Sequence, residues 1–240
     1  MVDPRDRLIV ALDVESLAQA EALLDRLHGV VSTFKVGTQL FTAAGPAAVE
    51  LIQKRGGRVF LDLKYHDIPH AVAGAVREAT RLRVAMLTLH ASGGSAMLQA
   101  AATAAKMAAH EFNGPKPLCL AVTVLTSLDR GALHRELNVP LSVEAQVLDL
   151  ARLAKAAGSD GSVASPQEIR ALRMGLGREW VIVTPGVRPA GSAADDQARV
   201  ATPEAALKAG ANYLVVGRPI TGAPDPQKAA RVILEAMATA

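Results

Sequence analysis

The chain reads Asp62-Leu63-Lys64-Tyr65-His66-Asp67-Ile68-Pro69 immediately after the apolar run Arg58-Val59-Phe60-Leu61, where a strand pattern gives way to a helix pattern. Charged side chains are not expected in the interior of a buried strand. They are expected at the carboxyl end of a strand that opens onto a pocket, because parallel α/β folds place their catalytic and binding residues there. Since residues two apart on a strand share a face, we expect Asp62 and Lys64 to lie side by side. A salt-bridged strand end is the alternative interpretation of this triplet alone.

The bulk composition limits the class of protein. At 240 residues the chain can form one barrel-sized domain or two small ones, and its 50% hydrophobic content provides for a sizeable core. The net charge of +3 is spread along the sequence, and no cluster of Lys and Arg is interleaved with aromatic residues. We therefore expect no nucleic-acid partner. A small excess of basic residues also fits an anionic small-molecule substrate.

Cysteine usage and apolar runs indicate the compartment. Cys119 is the single cysteine and lies in an apolar run, which predicts a buried thiol rather than a disulfide or a zinc site. Residues 1–7 carry acids and no hydrophobic signal stretch follows them, so we expect no secretory leader. No apolar run approaches the ~20 residues needed to cross a bilayer. We expect a soluble, cytoplasmic protein with no membrane partner.

Short apolar runs alternate with longer amphipathic stretches along the whole chain. The predicted strands are residues 8–14, 33–37, 58–64, 85–90, 118–125, 161–164, 180–184 and 213–217. The predicted helices are residues 17–27, 46–54, 71–82, 95–109, 143–157, 167–174, 203–209 and 227–238. Eight such units predict an α/β fold, a (β/α)8 TIM barrel, as a single domain over residues 1–240. An open doubly wound sheet is the alternative, although its G-x-G-x-x-G fingerprint is missing after the first strand.

Polar and charged residues collect at the carboxyl ends of the predicted strands. In a barrel these ends meet around one mouth, so acids and bases from different strands would be gathered in a single site. Each residue taken alone could be a helix cap, a surface ion pair or part of a solvated loop, but their joint placement favours a functional site. They are Asp13, Lys35, Asp62, Lys64, Asp67, His90, Thr123, Thr126, Thr184, Arg188 and Arg218, with Pro185, Gly186 and Gly217 beside them in the chain.

The last two strands indicate a phosphorylated substrate, because barrels often hold phosphate with the loops after strands seven and eight. Gly217 lets the backbone approach an anion closely, and the Arg218 guanidinium can fork onto its oxygens. Residues 188–199 are small and polar, so this segment has few anchors of its own and could order over a phosphate as a lid. A loop without such a role is the alternative.

The motifs at the ends of the predicted strands resemble those of a known family. Asp62-x-Lys64-x-x-Asp67-Ile68-Pro69 is similar to the signature of the orotidine 5′-phosphate decarboxylases, in their bacterial form. The core of this motif is shared by sugar-phosphate decarboxylases and aldolases of the same superfamily, whereas Ile68-Pro69, the lid and its Gln197 are more specific. The companion motifs are Ala11-Leu12-Asp13, Lys35-Val36-Gly37, Val124-Leu125-Thr126-Ser127, Thr184-Pro185-Gly186-Val187-Arg188-Pro189 and Val216-Gly217-Arg218-Pro219-Ile220.

The resemblance implies a homodimer of barrels that converts orotidine 5′-monophosphate to UMP and carbon dioxide without metal or cofactor. Carried over by position, Lys64 would protonate C6 of the pyrimidine, and Asp62 would lie against the substrate carboxylate. Lys35 and Asp13 would hold the ribose hydroxyls and complete an alternating chain of charges. Asp67, which the resemblance also places in this catalytic charge network, would come from the partner subunit.

The remaining implied roles concern substrate binding. Ile68 would also come from the partner subunit, so the site would lie at the dimer interface. The other residues expected to bind the substrate are Thr126 at the pyrimidine ring, Pro185 in the strand-seven motif, Gln197 between lid, ring and phosphate, and Arg188, Gly217 and Arg218 at the phosphate.

Two departures from the family pattern matter. The usual Asp-Ile-Pro-Asn-Thr reads His70 and Ala71 at its last two positions, so a threonine hydroxyl that would reach the ribose across the dimer is absent. Losing one such hydrogen bond is expected to weaken binding by roughly 0.5–1.5 kcal/mol. On strand six Ser159, Ser162 and Ala164 replace the usual apolar pattern, and we expect a looser or more polar layer there without a change of function.

Two other functions are compatible with parts of the sequence. A magnesium-dependent sugar-phosphate decarboxylase or aldolase would use the same acids, but it needs a further carboxylate, and strand two offers only Lys35. A non-catalytic nucleotide-binding barrel would keep the pocket; intact Asp62, Lys64 and Asp67 argue against it. His90 could orient a neighbouring acid, or it could be a satisfied structural histidine.

Overall fold

The computed structural model describes residues 3–188 and 201–240, which fold as one closed barrel of eight parallel strands. Neighbouring strands pair in chain order, and β1 pairs with β8 in parallel to close the sheet. The strands are β1 Leu8–Ala11, β2 Thr33–Gly37, β3 Arg58–Tyr65, β4 Met86–His90, β5 Leu118–Val122, β6 Gly161–Val163, β7 Val181–Thr184 and β8 Tyr213–Val216. The predicted (β/α)8 barrel is confirmed, and the open doubly wound sheet is excluded.

Helices surround the barrel, with two short 3₁₀ segments at Ala91–Gly93 and Pro166–Glu168. Within the described ranges they are α1 Pro4–Arg7, α2 Leu17–Leu27, α3 Thr38–Ala44, α4 Ala47–Lys54, α5 Pro69–Arg81, α6 Gly94–Glu111, α7 Arg130–Arg135, α8 Val143–Ala156, α9 Ile169–Leu176, α10 Pro203–Ala209, α11 Arg218–Thr221 and α12 Pro226–Ala238. Of these, α1, α3, α7 and α11 were not predicted. None of the helices in this part of the chain is long and apolar enough to span a membrane.

Side-chain and backbone caps fix where several helices begin and end. The hydroxyls of Ser16 and Thr202 accept hydrogen bonds from Gln19 N and Ala205 N, each at 3.3 Å, at the starts of α2 and α10. Such a cap satisfies one of the backbone N–H groups that the first turn leaves unpaired. Helix α10 ends at Gly210, whose φ of +114° only glycine adopts easily. The chain can therefore turn directly from α10 into β8.

The barrel interior is filled by apolar side chains rather than open. A compact inner cluster is separate from the larger layer that joins the strands to the helices, and it consists of Ile9, Ala11, Phe60, Met86, Leu120, Val183 and Val215. Because inward-facing side chains pack the lumen of an eight-stranded barrel, a substrate can be held only at its mouth. We therefore expect the functional site at the carboxyl ends of the strands.

The sixth strand is polar but not loosely packed. Ser162 is fully buried, and its Oγ accepts a hydrogen bond from Trp180 Nε1 at 3.0 Å. A Cβ built at Gly161 would lie 2.3 Å from the Val181 carbonyl oxygen, so the backbones of β6 and β7 approach closely there. Of the two expected alternatives, a looser or a more polar layer, the structure has the more polar one, and its backbones pack closely at this position.

Candidate active site

A cavity of about 440 Å³ opens at the carboxyl ends of the strands. Apolar side chains that include Phe60, Val122, Val163 and Val215 line its inner part, and polar groups surround them. Of the twelve residues that the resemblance assigned to catalysis or substrate binding, the cavity brings together nine: Asp13, Lys35, Asp62, Lys64, Thr126, Pro185, Arg188, Gly217 and Arg218. A concave, largely apolar pocket with a few convergent charged groups is typical of a small-molecule site.

Four charged side chains form an alternating array across the cavity. Lys35 Nζ lies 2.9 Å from Asp13 Oδ1 and 3.7 Å from Asp62 Oδ2, and Lys64 Nζ lies 3.0 Å from Asp62 Oδ1. The side chains of Lys35 and Asp62 are only 11% and 13% exposed. Since removing one member of a buried pair leaves an uncompensated charge, each ammonium supports the carboxylates beside it. The array keeps Lys64 directed at the cavity.

The way β3 presents Asp62 and Lys64 differs from the sequence expectation. Leu61 pairs with Leu87 and Tyr65 with Leu89, so β3 advances four residues while β4 advances two. Within this bulge Lys64 has φ of +51°, a left-handed conformation that side chains other than glycine and asparagine seldom adopt. The two side chains do lie side by side, but a bulge places them there, rather than the regular alternation of a strand.

The bulge depends on a residue that the sequence reasoning missed. Thr88 on β4 is fully buried, and its hydroxyl accepts a hydrogen bond from Lys64 N at 2.8 Å and donates one to Asp62 Oδ1 at 3.0 Å. The only available signal was a single hydroxyl within the otherwise apolar stretch that leads into His90.

Gly37 was also missed as a site residue, although its motif was noted. A Cβ built there would lie 3.0 Å from Lys35 Nζ and 3.1 Å from Asp13 Oδ1. Gly37 has an ordinary extended backbone, so its lack of a side chain matters for space and not for conformation. The glycine leaves room for the ion pair between Lys35 and Asp13.

Two arginines line the other side of the cavity. Arg188 follows β7 and is buried, and Arg218 begins α11 directly after Gly217. Guanidinium groups bind phosphate oxygens in a bidentate way, and glycine lets the backbone approach an anion closely. This side of the cavity can therefore hold a phosphate group.

The two ends of the predicted lid meet beside that arginine pair. Val187 and Ala201 form an isolated parallel bridge, and Arg188 N donates to the Ala201 carbonyl oxygen at 3.0 Å. Gln197 and residues 189–200 lie outside the described residues, so the lid and the role of Gln197 stay predictions.

Asp67 and Ile68 do not line this cavity. Both are exposed on the turn before α5, Ile68 to 68%, and Asp67 Oδ1 accepts a hydrogen bond from Ile68 N at 2.6 Å. His70 and Ala71 are exposed in the first turn of α5, which follows directly. Within this chain, the site predicted from the sequence is therefore divided into residues that line the cavity and residues that lie outside it.

His90 lies near the cavity but does not line it. Its Nδ1 is 2.6 Å from Ser92 Oγ, and its ring stacks on His66 with 5.0 Å between centroids. Burial lowers the pKa of His90, and the neighbouring charges of His66 and Lys64 lower it further. These contacts favour the structural interpretation of this histidine.

This cavity offers few ligands for a divalent metal ion. Across residues 3–188 and 201–240 there is no group of three or more His, Cys, Asp or Glu side chains placed to hold an ion. The space between Asp13 and Asp62 is taken by the Lys35 ammonium. A magnesium site of the kind used by the sugar-phosphate enzymes would have to displace this ammonium.

Comparison with known proteins agrees with the geometry. The family model for the Orotidine 5'-phosphate decarboxylase / HUMPS family matches residues 6–233. An orotidine 5'-phosphate decarboxylase from Moorella thermoacetica is 61% identical over 229 residues, which cover 95% of this chain and 91% of that protein. One from Heliobacterium modesticaldum is 50% identical over 237 residues, covering 99% and 98% of the two chains.

Solved structures lead to the same family. The crystal structure of orotidine 5'-phosphate decarboxylase from Lactobacillus acidophilus superposes with a TM-score of 0.83 at 37% identity, and the match covers 96% of this chain and 98% of that one. Sequence similarity, fold and coverage of nearly the whole length of both proteins therefore coincide. This chain belongs to the Orotidine 5'-phosphate decarboxylase / HUMPS family.

Proposed function

We propose that this protein decarboxylates orotidine 5′-monophosphate to UMP and carbon dioxide, with Lys64 as the proton donor. The observation that carries the proposal is the Lys64 ammonium, held 3.0 Å from Asp62 at the mouth of a cavity that has two arginines on its other side. The curated relatives from Moorella thermoacetica and Heliobacterium modesticaldum are both named for this reaction. The reaction is the last step of pyrimidine nucleotide synthesis.

The chemistry explains why an ammonium is needed at this point. When the bond between C6 and the carboxylate breaks, carbon dioxide leaves and the electron pair stays on C6. The Lys64 ammonium stabilises this developing charge and then transfers a proton to C6, so that one N–H bond breaks and one C–H bond forms. Asp62 lies against the substrate carboxylate and keeps Lys64 in place. Lys64 regains its proton from solvent.

The other cavity residues bind parts of the substrate that do not react. Asp13 and Lys35 hold the ribose hydroxyls, Thr126 and Pro185 contact the pyrimidine, and Arg188, Gly217 and Arg218 bind the phosphate, with Gln197 bridging lid, ring and phosphate. Because the phosphate is remote from C6, its binding energy can close the site and exclude water without stabilising the ground state at the reacting carbon.

We infer that the active unit is a homodimer in which Asp67 and Ile68 complete the partner's site. The support is their position, since both are exposed on a turn outside their own cavity. Ala71 lies close by in the first turn of α5, and the missing hydroxyl is still expected to weaken substrate binding by roughly 0.5–1.5 kcal/mol.

The deciding experiment follows the loss of orotidine 5′-monophosphate absorbance with and without EDTA. We expect turnover by the parent protein that EDTA leaves unchanged, since no metal or cofactor is required. Lys64→Ala should lower kcat by roughly 10²–10⁴-fold, the usual contribution of a general acid. Lys54→Ala is the matched control, because Lys54 also pairs with an acid, Glu50 at 3.6 Å, but is exposed on α4.

The alternative functions predict different results in this experiment. Binding of UMP without turnover by the parent protein would support the non-catalytic barrel. Turnover that EDTA abolishes, together with conversion of a keto-sugar phosphate, would support the magnesium-dependent enzyme. Full activity in Lys64→Ala would remove the proton-donor role from Lys64.

A further inference from the structure

Thr88 joins the backbone of Lys64 to the side chain of Asp62. The Lys64 N–H can only donate, so the Thr88 hydroxyl must accept in their 2.8 Å hydrogen bond. Its single hydrogen is then directed to Asp62 Oδ1 at 3.0 Å. That same oxygen receives the Lys64 ammonium at 3.0 Å. One hydroxyl therefore contacts both members of the acid–base pair.

The location of Thr88 on β4 shows what this contact controls. Thr88 lies between Leu87 and Leu89, the two residues of β4 that flank the register shift against β3. Inside that shift Lys64 has its left-handed backbone, which the surrounding structure must maintain. The hydroxyl supplies an acceptor for the Lys64 N–H at this irregular point. Thr88 is fully buried and is not among the residues that line the cavity.

We propose that Thr88 is a positioning residue for the decarboxylation, which fixes the direction of Lys64 and the orientation of the Asp62 carboxylate together. The inference rests on the proposed function and adds a residue to it. Since Thr88 is buried and does not line the cavity, its hydroxyl should affect the proton-transfer geometry and not the binding of ribose or phosphate. Small misplacements of catalytic groups are costly, so the effect should appear mainly in kcat.

Thr88→Val tests this role, because it removes the hydroxyl and keeps a similar shape. We expect kcat to fall by roughly 10- to 100-fold, as for other misplaced catalytic groups. KM and the affinity for UMP should stay within about twofold of the parent, because uniform binding is untouched. Thr33→Val is the matched control: Thr33 is also a buried strand threonine, and its Oγ1 has no hydrogen-bond partner within the described part of the chain.

A second pair of variants separates the effect of the Thr88 hydroxyl from the effect of its methyl group on packing. Thr88→Ser and Thr88→Ala both lack the methyl group and differ by one hydroxyl. We expect Thr88→Ser to keep kcat within about threefold of the parent and Thr88→Ala to fall as far as Thr88→Val. This pair decides the matter if Thr88→Val does not fold. Parent-like kcat in Thr88→Val or Thr88→Ala, or an equal loss in Thr88→Ser and Thr88→Ala, would overturn the proposal.

The test also distinguishes this inference from the proposed function. A parent protein without turnover would refute the function, and crystal structures of the parent and Thr88→Val would then decide the positioning role. We expect the valine variant to lose the 3.0 Å contact between Lys64 Nζ and Asp62 Oδ1, or to move Lys64 out of the left-handed region. An unchanged contact and backbone would refute it.

Discussion

Mixing two inactive variants should restore activity if Asp67 completes the partner's site. Lys64→Ala removes a cavity residue, and Asp67→Ala removes a residue that lies exposed outside its own cavity. In a mixed dimer, the intact Lys64 of one subunit meets the intact Asp67 of the other, so that one site regains both groups. The second site of the same dimer lacks both.

The size of the recovery follows from this geometry. Random association of equal amounts of the two variants gives about one half mixed dimers, since the closed two-fold assembly has two equivalent positions. Each mixed dimer has one intact site out of two, so about one quarter of all sites should work. The two separate variants should show almost no activity, because each lacks a charged group of the site.

The assay is decarboxylation by the two variants after co-expression, or after joint refolding, compared with the sum of the separate variants. Lys64→Ala mixed with Asp62→Ala is the matched control, because both residues line the same cavity and no mixed dimer can contain an intact site. Activity no higher than in this control would show that Asp67 works within its own protomer, and would refute the shared site.

Three further predictions follow from single side chains. Burial raises the pKa of the Cys119 thiol to about 12, so a disulfide reagent should label native protein hardly at all at pH 8 and unfolded protein at once; rapid native labelling would contradict this. The pKa of His90 is lowered, mainly by burial, so the melting temperature should drop as the pH falls below about 6.5, and His90→Gln should reduce that drop; equal pH profiles would contradict it. Gly37→Ala places a Cβ 3.0 Å from Lys35 Nζ and should raise KM by roughly 10-fold by disturbing its contact with Asp13; an unchanged KM would contradict this.

The lowered pKa of His90 determines the direction in which stability changes with pH. A lowered folded-state pKa means that the folded state resists a proton that the unfolded state accepts near pH 6.5. The free energy of unfolding is therefore unaffected above that pH, and it declines as the pH falls from there toward the folded-state pKa. His90→Gln removes the contribution of this imidazole to the pH dependence of the free energy of unfolding. The contributions of the other titratable groups remain.

Local sequence pattern predicted the barrel because each of its units carries its own signals. The bounds of β2, α2 and α10 were predicted to the residue, since an apolar run or an amphipathic period ends there at a clear boundary. Strand five was predicted three residues too long, because β6 has only three residues and the last pair is Val122 with Val163. The length of a partner strand cannot be read from the strand itself. The helices α1, α3, α7 and α11 have four to seven residues, so a helical period is hardly visible in them. Helix α10 is as short as α3 and could be predicted because Thr202-Pro203 and Gly210 mark its two ends.

In the candidate site, too, residues could be predicted where local sequence decides and not where the pairing between strands decides. Asp13, Lys35 and Arg218 could be predicted because a closed barrel necessarily brings the ends of its strands to one mouth. Thr88 could not, because its importance depends on the register shift between β3 and β4, which no local pattern encodes. The assignment of Asp67 to a neighbouring protomer came from the family resemblance, and the exposed turn it occupies is consistent with it.

The left-handed backbone of Lys64 has a consequence for protein engineering. A lysine in this region costs about 1–2 kcal/mol relative to glycine. Removing its ammonium leaves the largely buried Asp62 carboxylate with the Lys35 ammonium at 3.7 Å and the Thr88 hydroxyl at 3.0 Å, so the charge stays partly compensated. These two effects oppose each other, so Lys64→Gly should fold about as well as the parent while losing the proton donor. Directed evolution for heat resistance alone would have no reason to retain this lysine, so such a campaign must also screen for turnover.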